Sequence, residues 1–134
     1  MQKKRIVVKV GTSTLTHKTG KTNIQKIGEL VSVLADLHNM GHEVILVSSG
    51  AIGIGTARLG LHKKPQSIKG RQAAAAVGQG ELMFLYDKFF GEYDVIVSQL
   101  LFTYDALDNK ENKMHLTNTF NQLIEYGVIP VVNE

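Results

Sequence analysis

Apolar positions along the chain fall into short β-branched runs that alternate with longer stretches at helical spacing. Ile6, Val7, Val8 and Val10 make the first run and Glu43-Val44-Ile45-Leu46-Val47 the second, with Val95 to Leu101 and Val128 to Val132 after them. Runs of this kind predict strands buried on both faces, as in parallel sheets layered between helices. Ile24, Ile27, Val31, Leu34 and His38, backed by Leu30 and Leu37, predict a helix that a Thr22 and Gln25 capping box opens and Gly41 ends. His38 lies in its last turn, where the helix dipole favours a cation, and is assigned a structural role.

Ser67 is placed to cap a long helix from about Ile68 to Phe90. Its Ala73 to Gly78 portion is small-sided and requires a close neighbour, either a strand layer or the same helix of another subunit. Leu82, Met83, Leu85, Tyr86, Phe89 and Phe90 supply core bulk in its second half. A last helix is predicted over Met114 to Tyr126, with Leu116, Phe120, Leu123 and Ile124 on its apolar side and Gly127 as its stop. Pro130 lacks a backbone donor, which argues for a strand end or an unpaired position.

Strand, helix and strand within about forty residues predict a right-handed βαβ unit with parallel strands. The fold class expected is therefore α/β, an open, mostly parallel sheet with helices on both faces, in a single unit over residues 1–134. Parallel strands place their carboxyl ends on one edge, so Lys9 to Gly11 and Ser49-Gly50 should meet there. The last strand stops two residues before the end of the sequence, which predicts the front part of a longer protein.

Lys9 interrupts the first apolar run one residue before its end. A buried ammonium costs several kcal/mol unless an anion meets it; alternatively, the side chain snorkels to solvent from a strand end. Gly11-Thr12-Ser13 follows, a small-residue turn whose hydroxyls and N–H groups suit a phosphate. Ser49 and Gly50 open a further helix whose free N–H groups can hold an anion, while Gly53 and Gly55 permit either close packing or close approach of a ligand.

Other patterns fail on inspection. Gly20-Lys21-Thr22 resembles a P-loop tail, but Leu15 stands where the first glycine belongs. The glycines from Gly50 to Gly55 are out of order for a dinucleotide fingerprint. Asp105, Asp108 and Glu111 lack the spacing and glycine of a calcium loop, so Tyr104 to Lys113 is expected to be a solvated loop or helix start, and no metal ligands are assigned.

Composition narrows the function classes. Hydrophobic residues make up 43% and charged residues 20%, ordinary values for a globular chain. A net charge of +3 spread along the sequence gives no footprint for nucleic acid. Cysteine is absent, which excludes disulfides and thiol nucleophiles and fits a reducing compartment. Lys9 breaks any signal-peptide core, and no run approaches the ~20 apolar residues of a membrane span, so a cytoplasmic location without membrane contact is expected.

Four blocks together carry a family resemblance. Val7 to Ser13, Val47-Ser48-Ser49-Gly50-Ala51-Ile52, Ala75 to Gln79 and Ile129 to Glu134 resemble the amino acid kinase family, in particular its glutamate-phosphorylating members, from Arg5 to Glu134. The resemblance implies ATP-dependent phosphorylation of the γ-carboxylate of L-glutamate, the first step of proline biosynthesis, with Mg2+ as a further cofactor. It implies that Lys9 is catalytic and, with Gly11 and Thr12, holds the nucleotide's phosphate; Ser49, Gly50, Ala51 and Asn133 would bind glutamate. Asn133 opens an Asn-Glu-Asn-Asp block whose remainder, like the ATP-binding half and a second catalytic lysine, lies outside these residues. A homo-oligomer, dimer or tetramer, and feedback inhibition by proline, sought near Lys64 to Lys69, are implied as well. Two alternatives share these blocks: the kinase half of a bifunctional glutamate-to-semialdehyde enzyme, and a noncatalytic ligand-binding or oligomerisation fragment.

Overall fold

Each apolar run becomes a strand, and the strands lie parallel in the order β1-β2-β4-β3. The computed structural model describes residues 2–101 and 107–134. Within them run β1 (Arg5–Val10), α1 (Thr12–Leu15), α2 (Ile24–Asn39), β2 (Glu43–Ser48), α3 (Ala51–Arg58), α4 (Ile68–Gly91), β3 (Ile96–Leu100), α5 (Lys110–Glu125) and β4 (Val128–Asn133). Register pairs Lys9 with Val47 and Ser48 with Asn133, so β1, β2 and β4 end nearly level.

The two faces of the sheet are covered unequally. Val10, Val44, Leu46, Ile129 and Val131 form one core with Ile27, Val31 and Leu34 of α2 and Leu82, Leu85, Tyr86 and Phe90 of α4. The opposite face meets α5, which has no buried residue. A groove of about 340 Å3 opens there between Val7, Ile45, Val47 and Val132 of the sheet and Phe120 and Ile124 of the helix. Burial of β1 on both faces is thus corrected: Arg5, Val7 and Lys9 are exposed, with Val7 at 60%. The cause is topological, since β1 is an edge strand and α5 packs mainly on β4.

Helix ends also differ in detail from expectation. Asn23, not Thr22, caps α2 by accepting from the Lys26 N–H at 3.1 Å, whereas Ser67 caps α4 as predicted. Asn109 accepts from the N–H groups of Glu111 and Asn112, so α5 starts four residues before Met114. Asp105 lies outside the described residues. Burial holds the His38 imidazole below its ordinary value. Pro130 sits in an interior strand, and the ladder from β4 to β2 begins one residue later, at Val131.

The small-sided stretch of α4 has a partner that neither expectation named. It packs on α3, where Gly55 lies against the backbone of Ala74 and Gly78 against the carbonyl of Ala51. Side chains at those glycines would force the two backbones apart. This contact fixes where the first turn of α3 stands.

Candidate active site

The level strand ends build one edge. The Ser49 N–H and Oγ both donate to the Val10 carbonyl at 3.1 Å, and the Glu134 N–H donates to the Ser48 carbonyl at 2.9 Å. Gly50 then turns the chain into α3 with φ of +93°, a conformation that favours glycine. A side chain there would also reach Thr12, whose Oγ1 lies 3.0 Å from the position of a Cβ. Gly11, Thr12, Ser49, Gly50 and Ala51 are therefore neighbours across two strand ends, as the topology predicted.

Lys9 reaches the same edge but not through a buried environment. Its ammonium donates to Glu134 Oε1 at 2.9 Å, with the side chains 64% and 41% exposed. The snorkelling alternative is the one observed, and burial does not compel an anionic partner. An exposed pair of this kind contributes at most about 1 kcal/mol. Glu134 is consequently a displaceable counter-ion, and an incoming anion can take its place on Lys9.

Neutral hydrogen-bonding groups complete the edge. Asn133 Oδ1 is buried without a hydrogen-bond partner among the described residues, and so is Gln79 Oε1 on α4. Orphaned buried acceptors are rare and call for a donor from a ligand or water. Beneath the edge, the Ser48 and Tyr86 hydroxyls lie 2.9 Å apart, and burial raises the Tyr86 phenol above its ordinary value. Since α3 presents no side-chain cap, its first-turn N–H groups remain available to an anion.

Three of these residues were not singled out from sequence. Glu134 was detectable as the acid that follows β4 beside an edge containing Lys9. Tyr86 shows in sequence only the spacing of a core residue, and Gln79 stands out only within the Ala75 to Gln79 block. The helical spacing that joins Gln79 to Tyr86 on α4 was the available signal.

The sequence matches the Amino acid kinase family over residues 4–134. The chain belongs to the amino acid kinase family. Its parallel sheet and helices agree with that assignment. A glutamate 5-kinase of Clostridium perfringens is 56% identical over 131 residues, 98% of this chain and 49% of that protein. One from Listeria innocua is 53% identical, covering 98% of this chain and 48% of its own length. One from Moorella thermoacetica is 50% identical over 133 residues, 99% of this chain and 35% of that protein. The chain thus spans between about a third and a half of these relatives.

A phosphate donor and a metal, the groups expected from the sequence, can be tested against this edge. One displaceable cation, the Thr12 hydroxyl and the open N–H groups of α3 suit a phosphoryl group. Among the described residues no three His, Asp or Glu side chains gather into a metal site, and none is assigned as a metal ligand. No helix among them is long and apolar enough to cross a membrane.

Proposed function

We propose that residues 1–134 form the N-terminal, acceptor-binding part of a kinase that transfers the γ-phosphoryl of ATP to the γ-carboxylate of L-glutamate. The observation that carries this reading is the meeting of Lys9 with the end of β4, at an edge that Ser49 and Gly50 share. Kinship with glutamate 5-kinases supplies the acceptor.

Joining a carboxylate to a phosphoryl group brings two anions together, and little covalent assistance is required of the protein. Lys9 leaves Glu134 and neutralises charge on the transferring phosphoryl group. Gly11 and Thr12 line the same approach and hold that group from the other side. The open N–H groups after Gly50 and Ala51 receive acceptor carboxylate. Ser49 orients this turn through its bonds to Val10, which keeps its own hydroxyl oxygen free to accept. Asn133 offers its unpartnered Oδ1 to the substrate ammonium, positioning it without a competing charge. Mg2+, if carried in with the nucleotide, would add charge neutralisation there. The ATP-binding part belongs to the remainder of the longer protein. Homo-oligomerisation and inhibition by proline are parts of the same proposal that rest on the family resemblance.

The reading is tested by trapping acyl phosphate with hydroxylamine, using the complete protein, glutamate and ATP. Hydroxamate formation that fails when aspartate replaces glutamate supports it, and an absence of acyl phosphate under saturating substrates refutes it. Calorimetry of the complete protein with glutamate and an ATP analogue separates the alternatives. Coupled binding of both favours the enzyme, and glutamate binding without nucleotide binding favours a noncatalytic ligand-binding module.

A further inference from the structure

Beside the proposed acceptor site lies a groove that the mechanism does not use. It encloses about 310 Å3 between the loop joining α1 to α2 and the loop joining α3 to α4. The first loop contributes His17 and Lys18, the second His62, Lys63 and Lys64, and no acidic residue lines it. Among the described residues none of these five side chains takes part in an ion pair. Gly53 forms part of the floor, and a Cβ there would lie 3.7 Å from Lys64 Cε and 3.6 Å from Thr12 Cγ2. Lys64 therefore leans over the first turn of α3 rather than extending away from it. Two loops converge three lysines, Lys18, Lys63 and Lys64, on a concave surface, and like charges brought together repel unless an anion neutralises them.

We infer that this groove binds a small multivalent anion, a di- or tricarboxylate or a phosphate compound, at a site adjoining the acceptor pocket. The groove's chemistry differs from that needed by an amino acid. Proline has no net charge, and no carboxylate lines the groove to receive its ammonium. Its lining also lacks the Phe, Tyr or Trp ring of a nucleobase-stacking platform, which argues against a nucleic-acid track. Because Thr12 and Gly53 lie between the groove and the strand edge, an anion here would stand within reach of the turn that holds the acceptor.

The test is calorimetric titration of the complete protein with pyrophosphate, citrate, acetate and proline at about 20 mM and about 150 mM salt. Pyrophosphate and citrate should bind in the groove, more tightly at low salt, while acetate and proline should not bind there. Backbone amide resonances of Gly20 and Gly53 should shift with the bound anion. The Lys63→Ala/Lys64→Ala variant alters only exposed side chains, and its affinity for pyrophosphate should fall about tenfold. Lys18→Ala should weaken binding from the opposite wall, and Lys9→Ala should leave the shift of Gly20, which lines the groove, intact. Unchanged affinity in the double variant overturns the inference. So does loss of the Gly20 shift on Lys9→Ala alone, which would place the anion at the strand edge, or a single-stranded oligonucleotide that outcompetes pyrophosphate for these lysines. Neither result bears on acyl phosphate formation, so the two proposals fail separately.

Discussion

Replacing Gly78 by alanine sets helix propensity against packing, and the two predict opposite signs. In a helix interior, alanine is favoured over glycine by about 1 kcal/mol, so propensity alone predicts a more stable protein. A Cβ on Gly78, however, would stand 2.7 Å from the Ala51 carbonyl carbon and 2.8 Å from the Gly55 nitrogen, and closer still to the Ala51 oxygen. These are backbone atoms that cannot rotate away, so α3 and α4 must separate. Overpacking costs roughly 1–3 kcal/mol where side chains can adjust, and the upper end applies here. The net expectation is a loss of about 2 kcal/mol, a lowering of the urea midpoint of about 1 M. Gly80 supplies the control, because it lies on the same helix with nothing within 4 Å of its Cβ position. Gly80→Ala should stabilise by up to about 1 kcal/mol. If Gly78→Ala stabilises as much as Gly80→Ala, the close contact between the helices does not exist as described. Because Ala51 begins α3, glutamate binding should weaken in the Gly78 variant as well.

Two further predictions concern pH. Burial raises the Tyr86 phenol above its ordinary value of 10.0, so the unfolded chain loses that proton first and stability should fall as pH rises past that value. Tyr86→Phe should flatten this alkaline fall while costing about 1 kcal/mol near neutrality, because the Ser48 hydroxyl loses its partner; an unchanged alkaline slope would refute the assignment. Hydrogen bonds from Arg5 and Lys3 hold the Glu43 carboxyl below its ordinary 4.5, so its contribution is present above that value and is lost as pH falls through the lower folded value. Acid titration of Glu43→Gln, followed by circular dichroism, should show a shallower fall in stability than the parent, and identical curves would count against the cluster.

Much of this fold is legible in the pattern because the strands are short, β-branched and separated by helices of regular spacing. The common edge followed from parallel pairing alone, and the Ser49 bonds to Val10 bear out the nearness of those strand ends. Lys9 was the harder residue. Its apolar neighbours suggested burial, but whether a strand is central or at an edge depends on strand order, which local sequence does not encode. The partner of Ala73 to Gly78 was obscure for a related reason: small residues announce a close approach without naming the element that approaches. Thr22 lost the cap of α2 to Asn23 by one residue, a difference set by the chain's direction as it leaves Thr16, which bridges to Thr22. Glu134 became visible as the Lys9 counter-ion only once β1 and β4 were placed on either side of β2.

The central claim is that the ammonium of Lys9 exchanges Glu134 for a transferring phosphoryl group. Turnover of Lys9→Ala in the complete protein, at saturating glutamate and ATP, tests it most directly. The substitution removes an exposed pair of at most about 1 kcal/mol, so folding should survive. The account predicts a kcat lower by about a hundredfold or more, with the KM for glutamate little changed. Turnover close to that of the parent would contradict it.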